Sequence, residues 1–327
     1  MRGLIVASVL LLGCKFHLHG VDTGGAAGGG GAPIPVADAG GVGGNAPDDL
    51  GAYNGGTDAG PTGGAPCYSE DYFPTASLAD LRAAYTTQAW KSDVLEVLDR
   101  RLPGGHALID QMQNDSQLAS FADRSSFDAL MSSLMMVCNG ETSIFDYGHA
   151  SPSAFAYFMR ADLTLEPAMV PTFPRSELQP YITDNATQAY DGALSGQQGA
   201  QDLTAVADDL TAFTNGLACI VAVADQVPNG ISARDGVAAS LYYLELYLQR
   251  ARTAHPSTYA ALQASADWQK MVRYLWARAA FWRKVAAASP QLGVADGPIW
   301  AHVDDPTHSS EIATFTGSTL WDIECHP

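Results

Sequence analysis

Between Leu203 and Ala224 the chain carries Leu203, Val206, Leu210, Phe213, Leu217, Ile220 and Ala224 at alternating steps of three and four. That spacing is a heptad seam, which only a helix packed along its length against other helices can bury. Two neighbouring segments repeat the pattern. After the Pro228-Asn229-Gly230 turn, Ser232 and Asp235 form a capping pair for a helix carrying Val237, Leu241, Leu244, Leu248 and Ala251, which stops at His255-Pro256. A third helix places Trp268, Val272, Leu275, Ala279, Trp282 and Ala286 on one side, with Arg273, Arg278, Arg283 and Lys284 elsewhere around it. The short link between the first two predicts antiparallel packing.

Weaker helical signals precede these three. Ser77 with Asp80 opens Leu78, Leu81, Tyr85, Val94, Leu95 and Leu98, and Pro103-Gly104-Gly105 marks the end. Ser125 with Asp128 opens Phe127, Leu130, Met131, Leu134 and Cys138, with Asn139-Gly140 as the stop. Ser151-Pro152 places a capping residue before proline and predicts a helix through Ala154, Phe155, Phe158 and Met159. Short strands are allowed at 298–303 and 311–315, and the proline-bearing stretches 165–180 and 288–327 read as ordered loops across the bundle. The expected fold is therefore all-α: an antiparallel helical bundle with long ordered loops. The alternative architecture is a repeat solenoid, although no 34-residue consensus is visible.

The amino-terminal part has another character. Residues 20–66 hold 17 of the 32 glycines, no Lys or Arg, and almost no large apolar side chain. Burial there cannot offset the entropy of ordering, so the expectation is a disordered tether. As a coil it would span roughly 35 to 40 Å. Its glycine spacings are no nucleotide loop, because no strand precedes them and no helix follows.

Before the tether, Arg2 is followed by an apolar run that stops at Leu11-Leu12-Gly13-Cys14. The run is shorter than the roughly 20 residues that span a bilayer, which is the profile of a signal peptide. The four residues at its end resemble the lipobox of bacterial lipoproteins. The resemblance implies removal of residues 1–13, acylation of Cys14 as the lipid attachment site, and membrane anchoring through the acyl chains. Lys15 stands where that family's inner-membrane retention signal has Asp, which implies an outer-membrane destination, periplasmic or surface-exposed. The expected organisation is a signal peptide over 1–13, a lipidated tether over 14–66 and a disulfide-bonded helical domain over 67–327.

Once Cys14 is acylated, four cysteines remain, and an exported chain is expected to pair them. Three pairings are open. Cys138 lies on the apolar stripe of its helix and Cys219 flanks the heptad seam, which favours Cys138 with Cys219. Cys67 and Cys325, at the two ends of the domain, then pair with each other. Sequential pairing of Cys67 with Cys138 and Cys219 with Cys325 is the rival.

Charge excludes one class of partner. The chain has 17 Lys plus Arg against 35 Asp plus Glu. Such a surface repels phosphate backbones, so no nucleic acid is expected.

Catalytic and cofactor motifs are missing. There is no phosphate-binding G-x-x-x-x-G-K-[ST] loop, no G-x-S-x-G elbow and no C-x-x-C, and no cofactor is expected. The stretch from Leu134 to His149, with Tyr243-Leu244-Glu245-Leu246-Tyr247 on a later helix, resembles the layout of helical zinc metallopeptidases. There a helix supplies H-E-x-x-H and a later helix supplies a Glu. Asn139, Gly140 and Ser143 occupy the motif positions here, so the resemblance implies a dead site, with Glu141, His149 and Glu245 as the metal-ligand candidates. The plainer reading makes Asn139-Gly140 a helix stop, Glu141 and His149 solvated loop residues, and Glu245 a residue facing water or an arginine.

A second group, His302, Asp304, Asp305, His308 and Glu311, offers further metal ligands on what reads as an exposed loop. His106 reads as a capping or packing residue. Tyr242, Tyr243, Tyr247, Trp268, Tyr274, Trp276, Phe281 and Trp282 lie at helical spacing and are expected in the core. The favoured reading is a cell-envelope lipoprotein whose helical domain binds an envelope partner. The alternative is a hydrolase or an inactive relative of helical zinc metallopeptidases.

Overall fold

The computed structural model describes residues 68–112, 118–227 and 230–317, which fall within one compact unit, Ala52–Pro327. The expected signal peptide and tether, with Cys14, Cys67, Cys325, and Pro228 and Asn229 of the expected turn, lie outside the described residues. The helices are α1 (Ala79–Ala84), α2 (Trp90–Arg101), α3 (Pro103–Met112), α4 (Leu118–Phe121), α5 (Phe127–Gly148), α6 (Gly196–Gly199), α7 (Leu203–Ala222), α8 (Ala233–Ala254), α9 (Pro256–Ala264), α10 (Ala266–Ala286), α11 (Asp296–Val303) and α12 (Pro306–Thr316). Strands β1 (Tyr157–Arg160) and β2 (Leu163–Leu165) form an antiparallel hairpin. Short 3-10 turns cover Arg175–Tyr181, Asp191–Leu194, Ala224–Gln226 and Pro290–Leu292. The fold is an antiparallel, all-α bundle.

The long helices α5, α7, α8 and α10 carry the core. Helix α7 sits at its centre, packed most extensively against α5 and then α8. By length and composition α7 could cross a membrane, yet it is buried inside the bundle. A helix that is apolar all round needs neighbours on every side, and α7 has them. Starts are fixed by side chains that accept otherwise unpaired amides. Ser126 Oγ accepts from Ala129 N at 3.1 Å, Asp202 Oδ1 from Thr204 N at 3.0 Å, and Ser265 Oγ from Trp268 N at 3.3 Å.

Several expected elements differ. The cap of α5 is Ser126 rather than Ser125, and α5 does not stop at Asn139-Gly140 but runs on to Gly148. Gly140 serves close packing there: a Cβ would fall 2.6 Å from the Phe121 ring. The first expected helix is two, α1 and α2, broken between Tyr85 and Ala89, and Ser77 is not the cap residue of α1. Pro103 does mark the end of α2, and it also opens α3, a first-turn position where proline's missing N–H costs nothing.

The expected helix after Ser151-Pro152 is instead the hairpin. Ser151 Oγ accepts from Ala154 N at 3.0 Å, closing a turn, and every residue of β1 is buried. A short, continuously apolar run does not separate strand from helix by period. At the other end, the strands allowed at 298–303 and 311–315 are helical. Ile299, Trp300 and Val303 of α11, and Glu311, Ile312, Phe315 and Thr316 of α12, are the buried residues, a helical spacing that shorter windows hid. Much of 288–327 is thus helix rather than loop, and 165–180 includes a 3-10 turn.

Ser232 accepts no capping bond in α8, and Asp235 turns away to accept from Val294 N at 2.9 Å and Ala295 N at 2.7 Å, holding the entry to α11. The expected aromatic core is present: Tyr242, Tyr243, Tyr247, Trp268, Tyr274, Phe281 and Trp282 are buried, and Trp276 is partly buried against them.

Candidate functional site

Helices α5 and α7 run antiparallel and close together. Gly216 permits the approach, since a Cβ there would lie 3.0 Å from the Met135 carbonyl oxygen. Cys138 and Cys219 join across the interface in a disulfide, the pairing that their positions on the two helices predict. Further along the same interface, one residue from each helix places a carboxyl group in the interior. Asp146 is 0% exposed and Asp208 4%.

Each carboxyl has one conventional partner. Asp146 Oδ1 accepts from Phe158 N of β1 at 2.8 Å, and Ser143 Oγ donates to Asp208 Oδ2 at 3.2 Å. Neither Asp146 Oδ2 nor Asp208 Oδ1 receives a hydrogen bond from any N–H or hydroxyl. The two acids lie across the same interface, and each influences the other's ionisation. The nearby cation, Arg175, is committed elsewhere: Nη1 donates to Asp209 Oδ2 at 2.5 Å, Nη2 to Gln201 Oε1 at 2.9 Å and Nε to Gln198 O at 2.9 Å. Burial pushes Asp146 far above the ordinary carboxylate range, and the Asp208 charge adds to this. Burial, then the charge of Asp209, pushes Asp208 up to about 7. The Phe158 N–H that Asp146 accepts acts the other way, favouring its charged form.

Sequence reasoning missed this centre. Asp208 lies off the heptad seam, and Asp146 lies beyond the point where α5 was expected to end. The available signal was the run of small residues flanking the seam on α7, Ala207, Thr211, Thr214 and Ala218, which marks a helix whose buried face is wider than one seam.

The residues that the sequence did single out are scattered. Glu141 is inside α5 and fully buried, not on a solvated loop. His149 is the residue after α5, stacked on Phe145 at 4.0 Å with Nδ1 against Phe145 O at 2.9 Å. Glu245 of α8 is fully buried, facing neither water nor an arginine, and its two oxygens have no hydrogen-bond partner. Burial raises its pKa well above the carboxylate range, and the charge of Asp304 adds to that. Among the described residues, no group of three or more His, Cys, Asp or Glu is placed to hold a metal ion.

In the second expected group His302 lies on α11 and His308 and Glu311 on α12, while Asp304 and Asp305 form the link between the two helices. His302 Nε2 meets Asp184 Oδ2 at 2.8 Å, and its ring stacks on Tyr242 at 5.0 Å. His308 Nδ1 meets His302 O at 3.0 Å, Asp305 caps α12, and Glu311 pairs with Arg252 at 2.5 Å. Each of these groups already has a structural partner. His106 does pack, with Nδ1 3.0 Å from Leu95 O.

Two open clefts lie among the described residues. One, of about 400 Å³, lies where Arg283 stacks over Trp300 and pairs with Asp304, next to the Arg234–Asp296 pair. The other, of about 360 Å³, includes Tyr147, Phe173, Gln201 and Asp202 in its wall. Tyr147 connects this cleft electrostatically to Asp208 and Asp209, whose charges, after burial, hold its phenol protonated. No family model, no curated protein and no solved structure matches the chain.

Proposed function

We propose that this chain is a lipoprotein of the bacterial cell envelope, held on the outer membrane by acyl chains on Cys14, with a helical domain that binds a partner at that surface. The observation that carries the reading is Leu11-Leu12-Gly13-Cys14 at the end of a short apolar run. Two further features support it. The Cys138–Cys219 disulfide suits an oxidising compartment outside the cytoplasm. The acidic balance of the domain disfavours binding to nucleic acid, leaving proteins, peptides or small molecules as partners.

Each acyl methylene buried in a bilayer contributes about 0.8 kcal/mol, so two or three chains hold a protein without a transmembrane helix. Cys14→Ser is therefore expected to abolish labelling by radioactive fatty acid and to move the protein from the membrane fraction to the soluble one. An unlabelled wild-type chain, or a Cys14→Ser chain that stays on the membrane, overturns the reading.

A further inference from the structure

We propose that Glu245 is a proton-held latch beneath the joint of α11 and α12: as a neutral acid it lets the joint lie on α8, and its ionisation opens the joint to water. The inference does not depend on where the chain resides.

One stripe of α8 faces these two helices. Tyr242 stacks on His302 of α11 at 5.0 Å and meets the His308 ring of α12 edge-on at 5.2 Å. Gln249 Nε2 donates to Thr307 O at 3.0 Å and Arg252 Nε to Glu311 Oε2 at 3.0 Å, both on α12. Residues three and four apart on a helix share a face. Glu245 follows Tyr242 by three and precedes Gln249 by four, so it faces the joint, where Asp304 and Asp305 link α11 to α12. Unlike Gln249 and Arg252 it has no partner there: both of its oxygens are buried and accept no hydrogen bond. Asp304, Asp305, Pro306 and Thr307 are exposed above it, whereas Glu245 is 0% exposed.

Among the described residues no cation pairs with Glu245. Arg283 of α10 is bound to Asp304 at 2.6 and 2.7 Å, and Arg252 to Glu311. Asp304 and Asp305 of the joint are themselves acids, and the Asp304 charge adds to the cost of ionising Glu245. His302 meets Asp184 and His308 meets His302 O, and an imidazole carries less charge as pH rises. Burial, then Asp184, Glu245 and Asp305, keep the Tyr242 phenol protonated. Elsewhere around α8, Glu177 of the 3-10 turn is held by Arg250 and His255, and Arg175 by Asp209. The acids of α7, Asp208 and Asp209, bear on Tyr147, and α9 has no charged side chain.

A carboxyl in such a place is cheaper to bury with its proton than without. Once ionised it needs water, and the joint is the exposed side of the site. Next to Glu245 the joint is attached to α8 by the Gln249 bond to Thr307 O. That bond joins neutral groups and gains nothing when Glu245 ionises, while Asp304 is repelled. The Arg252–Glu311 pair keeps its charges, so α12 stays on the domain and the opening is confined to the joint.

Two measurements on the full chain in non-ionic detergent test this from pH 6 to pH 9. The first is infrared difference spectroscopy of the wild type against Glu245→Gln, in which other buried acids cancel. A band of a protonated carboxylic acid is expected at pH 6, fading toward pH 9. The second is the relaxation of the Val303 and Ile312 methyl groups by a soluble, neutral paramagnetic agent. Val303 is 4% exposed and Ile312 0%, so both begin shielded. Val303, beside the joint, is expected to lose its shielding as the band fades in the wild type and to keep it in Glu245→Gln, with Ile312 shielded throughout. Constant Val303 relaxation in the wild type, an equal rise in both proteins, or a rise at Ile312 matching that at Val303 overturns the proposal. So does a missing band at pH 6 or an undiminished one at pH 9. Glu245→Met, neutral at every pH, repeats the comparison, and the wild-type Val303 profile stands without either variant.

Discussion

Two of the polar centres in the interior of this domain are neutralised in opposite ways. At one, Arg278 of α10 donates through Nε to Glu70 at 2.6 Å and through Nη1 to Asn215 Oδ1 at 2.7 Å, while Tyr68 and Trp282 also donate to Glu70. Every charge there meets its opposite, and the segment beginning at Tyr68 is held against the bundle. At the other, Asp146 accepts from Phe158 N and Asp208 from Ser143 Oγ, and among the described residues neither is paired with a cation. Asn215 belongs to both neighbourhoods: its Oδ1 accepts from Arg278 and its Nδ2 donates to Phe158 O. A guanidinium keeps its charge at any working pH, whereas a buried carboxyl is neutral only while it holds a proton. The same burial thus makes one centre a permanent brace and the other a conditional one.

The largest effect is expected at the paired centre. Arg278→Met leaves Glu70 buried with no counter-charge, and breaking a buried pair in this way costs about 3 to 5 kcal/mol. Urea denaturation of the full chain measures it. A loss below about 1 kcal/mol would mean that Glu70 reaches water without Arg278 and that the contrast between the two centres fails.

A smaller effect of opposite sign is expected at Glu245. Its carboxyl is buried without a hydrogen-bond partner, so Glu245→Met, similar in volume and apolar, is expected to stabilise the domain by about 1 to 3 kcal/mol at neutral pH. The gain should shrink as pH falls, because burial costs a protonated carboxyl less. A variant less stable than the wild type would show that Glu245 has a role in holding the fold.

How much of this was legible beforehand follows from what sequence patterns encode. The seam from Leu203 to Ala224 and the Trp268–Ala286 stripe locate α7 and α10 because a long periodic pattern averages over local exceptions. The Cys138–Cys219 bond was readable for the same reason, each cysteine having a defined place on a helix. Short segments were not. Phe155 to Met159 is apolar at every position and so carries no period, and the hairpin was taken for a helix. At Gly140 the rule that glycine ends helices gave way to packing against Phe121, and with the helix cut short there Glu141 was assigned to solvent. Asp146 and Asp208 were illegible because an acidic residue in a helix is ordinarily on the outside. Only tertiary structure shows that β1 covers one and α5 the other.

The contrast between the two centres is tested most directly by stability as a function of pH. A carboxyl whose folded pKa is raised holds a proton that the unfolded chain has already lost, so stability declines as pH rises from the unfolded value toward the folded one. For Asp208 that window runs from 3.8 to about 7. Acids whose pKa values are lowered by hydrogen bonds, Asp184 by the Ala186 N–H and then His302, and Glu177 by His255 and then Arg250, act in the opposite direction, and their contribution is lost at the acid end of the range. Urea denaturation of the full chain from pH 5 to pH 7 is expected to show the folded-to-unfolded ratio falling by up to about tenfold per pH unit for each retained proton, with the slope reduced in Asp208→Asn and unchanged in Arg278→Met. A wild-type stability that is flat or rising over this window, or a slope that Asp208→Asn leaves intact, would contradict the account.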